Sequence, residues 1–129
     1  PATLGDNWVA MADPDYVPAG VYGKAALQHF GVWERLKPRI ARAPNVRAAL
    51  ALVARGEASA GIVYNSDLRV SDQVKLVATF PSTSHPSIEY TAVISTNADR
   101  LYTDAYFAFL MSSDVQARFV VHGFLPVDG

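Results

Sequence analysis

At 129 residues, half of them hydrophobic, the chain has the size of one domain or one lobe of a larger protein and enough apolar content for a real core. Eleven basic and twelve acidic residues leave a formal net charge of −1, which argues against nucleic acid, where phosphate neutralisation dominates binding. No basic run points to an anionic membrane surface, no apolar stretch approaches the roughly 18 residues of a membrane span, and the absence of cysteine excludes disulfide frameworks and cysteine-based metal sites.

The sequence opens at Pro1 without a methionine and carries no signal peptide, which fits removal of an upstream segment. Residues 7–12 (NWVAMA) predict a short apolar strand, broken by Asp13-Pro14-Asp15, and Pro18-Ala19-Gly20 predicts a turn. A helix is expected over 20–30, with Gly31 as its stop, and a second short helix within 32–41 around Trp33 and Leu36, perturbed by Pro38. The clearest helix is VRAALALVARGE. Asn45 suits its N-cap, Gly56 its C′ position, and Val46, Ala49, Leu50 and Val53 have the spacing of a buried stripe.

Residues 60–64 (AGIVY) predict a buried strand ending at Tyr64, and 74–80 (VKLVATF) another, stopped by Pro81. The stretch 81–87 (PSTSHPS) has the composition of a linker, and 88–95 (IEYTAVIS) alternates like a strand. Two helices complete the chain, 98–111 and 113–122, the latter with Ser113 as its expected cap and Gly123 as its stop. Strand and helix alternate through the first 80 residues, which implies an α/β class built on a parallel sheet.

In open α/β sheets, ligands sit beyond the carboxyl ends of the strands. Three segments end there: Val17-Pro18-Ala19-Gly20 before the first helix, Asn45-Val46-Arg47 at the start of the third, and Tyr64 at the end of its strand. Two are helix N-termini, each presenting unpaired N–H groups and about half a positive charge from the helix dipole. Two such ends converging make an anion site without any charged side chain, and a tyrosine hydroxyl adds one directional donor. Taken singly, each has a plainer interpretation: a hydrated helix end, a boundary tyrosine, and in Arg47 a solvated surface charge.

In order and spacing these segments resemble a known family. VPAGVYGKAAL, NVRAALALVARGEA, GIVYNSD, VATFPSTSHPSIEY and a late HGF are similar to the periplasmic molybdate-binding proteins of ABC importers, with 27 residues from Ala19 to Val46 and 18 from Val46 to Tyr64. The resemblance runs from about Ala12 to Leu125. It implies a bilobed periplasmic-binding-protein fold, here truncated, in which residues 1–85 form most of the second ligand-binding lobe and 86–129 return to the first. It also implies that Ala19 and Val46 donate backbone N–H groups and Tyr64 its hydroxyl to the oxyanion. The family's remaining contacts, serines of the opposing lobe, have no counterpart in this sequence. Molybdenum would enter only as the bound oxyanion, with no metal ligated directly and no cofactor. Implied partners are molybdate or tungstate and the membrane permease of an ABC importer; the implied location is periplasmic.

An enzyme is not expected. His29, His85 and His122 lack metal-ligand spacing, no G-x-S-x-G or phosphate-loop pattern occurs, and Pro14 between Asp13 and Asp15 indicates turn chemistry rather than a catalytic carboxylate pair. The alternatives are the effector-sensing domain of a transcription regulator, or a truncated chain that binds nothing. Self-association is expected as well. The strand 88–95 would lack neighbours, the helix 98–111 carries Leu101, Tyr102, Ala105, Tyr106, Ala108 and Phe109, and 81–87 would act as a hinge for exchange.

Overall fold

The computed structural model describes residues 8–126 and divides into two compact units, Pro1–Ser87 and Ile88–Gly129. The first unit is built on three parallel strands in the order β2-β1-β3: β1 (Val9–Ala12), β2 (Ile40–Ala43) and β3 (Ala60–Ile62). Val9 pairs with Ile40 on one side and Ala60 on the other, and Ala12 with Ala43, so all three strands end at one edge. From β1 the chain steps to β2, then returns over β1 to reach β3. That reversal beside β1 is a topological switch point, where open α/β sheets form their ligand crevice.

Helices cover both faces. Successive strand residues point to opposite sides, so Met11 packs with Leu27 of α1 (Pro18–His29), Trp33 of α2 (Trp33–Leu36) and Ile40, while Ala10 packs with Ala43, Ala58 and Ala49 of α3 (Val46–Ala54). Small residues in β1 let helices approach closely; the one large exception, Met11, is fully buried, and burying a side chain of that size contributes roughly 1.5–3 kcal/mol. The α3 N-cap is Asn45, whose Oδ1 accepts the Ala48 N–H at 2.9 Å, worth about 1 kcal/mol. Gly31, Gly56 and Gly123 adopt positive φ where α1, α3 and the last helix stop.

Several sequence expectations are corrected. Asn7 of the first strand lies outside the described residues, and the strand begins at Val9. The turn at Pro18-Ala19-Gly20 is instead the first turn of α1, because proline's fixed φ suits the first helical position. Residues 32–41 hold only the single turn α2 and a 3₁₀ turn, Lys37–Arg39, before β2 begins at Ile40. The strand expected at 60–64 is shorter and not buried: Ala60 and Gly61 are exposed, because β3 is an edge that among the described residues pairs with β1 alone. Neither 74–80 nor 88–95 forms a strand. Alternation prepares a segment to pair but supplies no partner, and an unpaired strand gains no ladder. Phe80 packs instead beside the Met11 cluster and stacks on Phe30 at 6.2 Å between ring centroids.

The 81–87 stretch is not a free linker. Ser82–Ser84 forms a 3₁₀ turn, Ser84 is buried with its Oγ donating to the Pro81 carbonyl at 2.6 Å, and the His85 ring lies 6.4 Å from that of Tyr22 on α1. In the second unit, α4 (Arg100–Leu110) is capped by Asp99, which accepts the Leu101 N–H at 3.0 Å. α5 (Ser113–Val121) begins after Ser112, one residue before the expected cap, and Ser112 makes no side-chain cap bond; its hydroxyl donates to the Phe109 carbonyl. Phe119 and Phe124 meet edge to face, as do Tyr90 and Phe124. No helix among the described residues is long and apolar enough to cross a membrane.

Candidate functional site

The parallel register brings the three expected segments to one edge. Ala19 is the second residue of α1, just beyond β1; Val46 is the first residue of α3, just beyond β2; Tyr64 lies two residues past β3. β1 is central, so the α1 segment is flanked by the other two.

The two helix ends differ in how their first-turn donors are treated. A helix leaves four N–H groups without internal partners. At α3 the first helical bond runs from Ala49 to the Asn45 carbonyl and the Asn45 side chain accepts from Ala48, so the cap residue, Val46 and Arg47 carry the remaining first-turn N–H groups. At α1 the N-cap Val17 has no side chain to offer, Pro18 has no N–H, and the first helical bond runs from Val21 to the Val17 carbonyl. The Ala19 N–H makes no backbone hydrogen bond among the described residues, and Ala19 is buried. Gly20 explains how α1 reaches so close to the sheet edge. A Cβ there would lie 2.3 Å from the carbonyl oxygens of both Ala12 and Asp13.

The surrounding carboxylates are neutralised. Pro14 sits in a turn in which the Asp15 N–H donates to Asp13 Oδ1 at 2.9 Å. Lys24 Nζ and Arg42 Nη1 bind the two oxygens of Asp15 at 2.8 and 2.7 Å, and Arg42 also lies 3.7 Å from Asp13. Hydrogen bonds from Lys24 and then Arg42 hold the Asp15 carboxyl below the usual carboxylate range, although it is solvent-exposed. Among the described residues no group of three or more histidines, aspartates or glutamates is arranged to hold a metal ion.

Sequence reasoning missed Asp67. Its side chain is buried; Oδ2 accepts the Tyr64 N–H at 3.0 Å and Oδ1 accepts Arg47 Nε at 2.9 Å. Arg47, expected as a solvated charge, is exposed along its length yet anchored at its Nε. The available signal was an acidic residue three positions after Tyr64, the expected end of the strand, where a side chain can fold back onto the backbone N–H that opens a helical turn. Here that turn is the 3₁₀ segment Asn65–Val70.

An open parallel sheet with its switch point at β1 and two helix N-termini on the same edge defines an α/β ligand-binding module. A model of the bacterial extracellular solute-binding protein family matches residues 3–125, and the chain belongs to that family. It is 44% identical over 121 residues to a molybdate-binding protein of Escherichia coli K12, covering 94% of this chain and 47% of that protein. A molybdate-binding protein of Haemophilus influenzae is 41% identical over 121 residues, with 94% and 48% covered. Among solved structures, the substrate-binding domain of a putative molybdenum ABC transporter from Clostridium difficile superposes with a TM-score of 0.77 at 26% identity, covering 95% of this chain and 54% of that one. The chain thus spans about half the length of the curated relatives it matches.

Proposed function

We propose that the protein captures molybdate, or the isosteric tungstate, in the periplasm as the solute-binding component of an ABC importer, handing it to a membrane permease. The observation that carries this proposal is the gathering of Ala19, Val46 and Tyr64 at one sheet edge, in a chain whose relatives are named for binding molybdate. In this account Ala19 and Val46 donate backbone N–H groups and Tyr64 donates its hydroxyl. Residues 1–85 supply most of one lobe, residues 86–129 return to the other, and donors from the opposing lobe complete the shell.

The chemistry suits a fully deprotonated tetrahedral oxyanion. Such an ion offers only acceptors, and all three proposed contacts are neutral donors. A monoprotonated phosphate needs one acceptor for its own proton; without it, a buried polar group stays unpaired at a cost of about 1–3 kcal/mol. Helix N-termini provide the electrostatic stabilisation without a counter-charged side chain. The family match leaves the effector-sensing alternative without a supporting observation.

Titration calorimetry with molybdate tests the lobe assignment. Saturable binding is expected when both lobes are present. The 129-residue chain alone is expected to bind a hundredfold to ten-thousandfold more weakly, roughly the loss of two charge-assisted hydrogen bonds. Equal affinity in the two would contradict the assignment of missing contacts to an opposing lobe.

The chain alone is also proposed to self-associate through residues 88–129. Leu101 and Tyr102 of α4 are 75% and 73% exposed, and Tyr106, Phe109, Val121 and Leu125 are exposed as well. Apolar exposure on this scale is uncommon on stable monomers. The order within 81–87 favours pairing of these surfaces over exchange about that stretch. Light scattering after size exclusion should give a mass that grows with concentration in the micromolar range; a single species at 13.9 kDa throughout would rule association out.

A further inference from the structure

We propose that Asp67 and Arg47 are positioning residues for the oxyanion site, a clamp that fixes the Tyr64 segment against the first turn of α3. This inference rests on the assignment of Tyr64 and Val46 as ligand donors and names what holds them in register. Asp67 is the only charged residue among the described residues that is buried, at 3% exposure. A buried carboxylate is tolerated when its oxygens are paired, and both of its oxygens are used on the two elements in question. Oδ2 takes the N–H of Tyr64 itself, and Oδ1 takes Nε of Arg47, the residue next to Val46 on α3.

The link matters because Tyr64 lies beyond the sheet and takes its place from the turn that follows it. β3 ends at Ile62, two residues earlier, and is an edge strand with exposed Ala60 and Gly61. The carboxylate joins the segment carrying Tyr64 to α3 by one hydrogen bond on each side. A misplaced donor loses most of its worth, since a hydrogen bond weakens steeply with distance and angle. The pair is neutral overall, so it adds no net charge beside the bound anion. The arrangement is also asymmetric. Arg47 is 60% exposed on its side chain while Asp67 is 5% exposed on its own, so the arginine brings the charge that a buried carboxylate needs from a solvated position.

The test is a double-mutant cycle read as molybdate affinity by calorimetry, with both lobes present and well below each variant's unfolding midpoint. Asp67→Asn should weaken binding on the order of tenfold, because the amide replaces one acceptor by a donor facing an existing donor. In a Tyr64→Phe background the same substitution should cost under about threefold, because the hydroxyl it positions is already gone. Arg47→Gln, an exposed change that leaves the Asp67 bond to the Tyr64 N–H in place, should weaken binding less than Asp67→Asn with the same dependence on Tyr64, and Arg47→Lys should recover part of the loss. Arg47→Gln carries the test should Asp67→Asn fail to fold. Affinity within twofold of wild type in both single variants overturns the proposal. So does a loss of equal size with and without the Tyr64 hydroxyl, which marks general destabilisation rather than positioning. If Tyr64→Phe alone binds like wild type, the donor assignment fails and the clamp proposal falls with it; if Tyr64→Phe weakens binding while the clamp variants do not, the clamp proposal alone fails.

Discussion

Gly20→Ala should lower stability by a net ~2–2.5 kcal/mol, an overpacking cost of about 3 kcal/mol less the helix-propensity gain of alanine, and should weaken oxyanion binding at the same time. The added Cβ would meet the Ala12 and Asp13 carbonyl oxygens at 2.3 Å. Both are backbone atoms at the end of the central strand, and Asp13 is held further by its N–H bond to the Ala43 carbonyl at 2.9 Å. Relief therefore requires α1 to move off the sheet. An opposing term exists, since alanine is the better helix former by about 0.5–1 kcal/mol, but it is the smaller of the two. For a two-lobed protein the net change corresponds to a fall in Tm of roughly 4–10 °C. The movement also displaces the Ala19 N–H, so affinity should drop on the order of tenfold or more, the worth of one charge-assisted bond. Gly23→Ala is the internal comparison. Its Cβ would meet Ile62 Cγ2 and Met11 Cε at 2.9 Å, side-chain atoms rather than backbone and, at Met11, the far end of a flexible chain, so a smaller loss is expected. An unchanged or raised Tm for Gly20→Ala would show that α1 has more freedom than the close approach implies.

Tyr64→Phe should weaken molybdate binding by roughly 1.5–3 kcal/mol, about tenfold to a hundredfold, the range for a hydrogen bond to a charged group. Phenylalanine keeps the ring and its packing, so the change isolates the hydroxyl. The backbone N–H of residue 64 still donates to Asp67 in the variant, which keeps the segment in place. Molybdate and tungstate should lose affinity equally, because each presents the same kind of oxygen acceptor. Calorimetry giving wild-type affinity would mean that the hydroxyl does not touch the ligand.

Signals that are local in sequence were legible. Asn45 and Gly56 bracket α3 because capping and C-terminal glycine act within a few residues of the helix they bound. The shared edge of Ala19, Val46 and Tyr64 was also legible, since alternating strands and helices imply parallel strands whose carboxyl ends coincide. What escaped depends on pairing across the chain. β2 is four residues long, Ile-Ala-Arg-Ala, next to a proline-perturbed helical pattern, and only its ladder to β1 defines it. The reverse error occurred at 74–80 and 88–95, where period-2 alternation is present and no strand partner is. The Asp67–Arg47 pair spans 20 residues, and no periodicity marks it.

The most direct measurement is a side-by-side calorimetric titration of molybdate, tungstate, sulfate and phosphate into the protein with both lobes present, at one pH and one salt concentration. The proposed shell of neutral donors disfavours phosphate, and the relation to molybdate-binding proteins adds the expectation that molybdate and tungstate bind far more tightly than sulfate as well. Phosphate should be disfavoured by at least the roughly 1–3 kcal/mol of an unpaired buried proton donor. Phosphate binding as tightly as molybdate, or more tightly, would contradict the account.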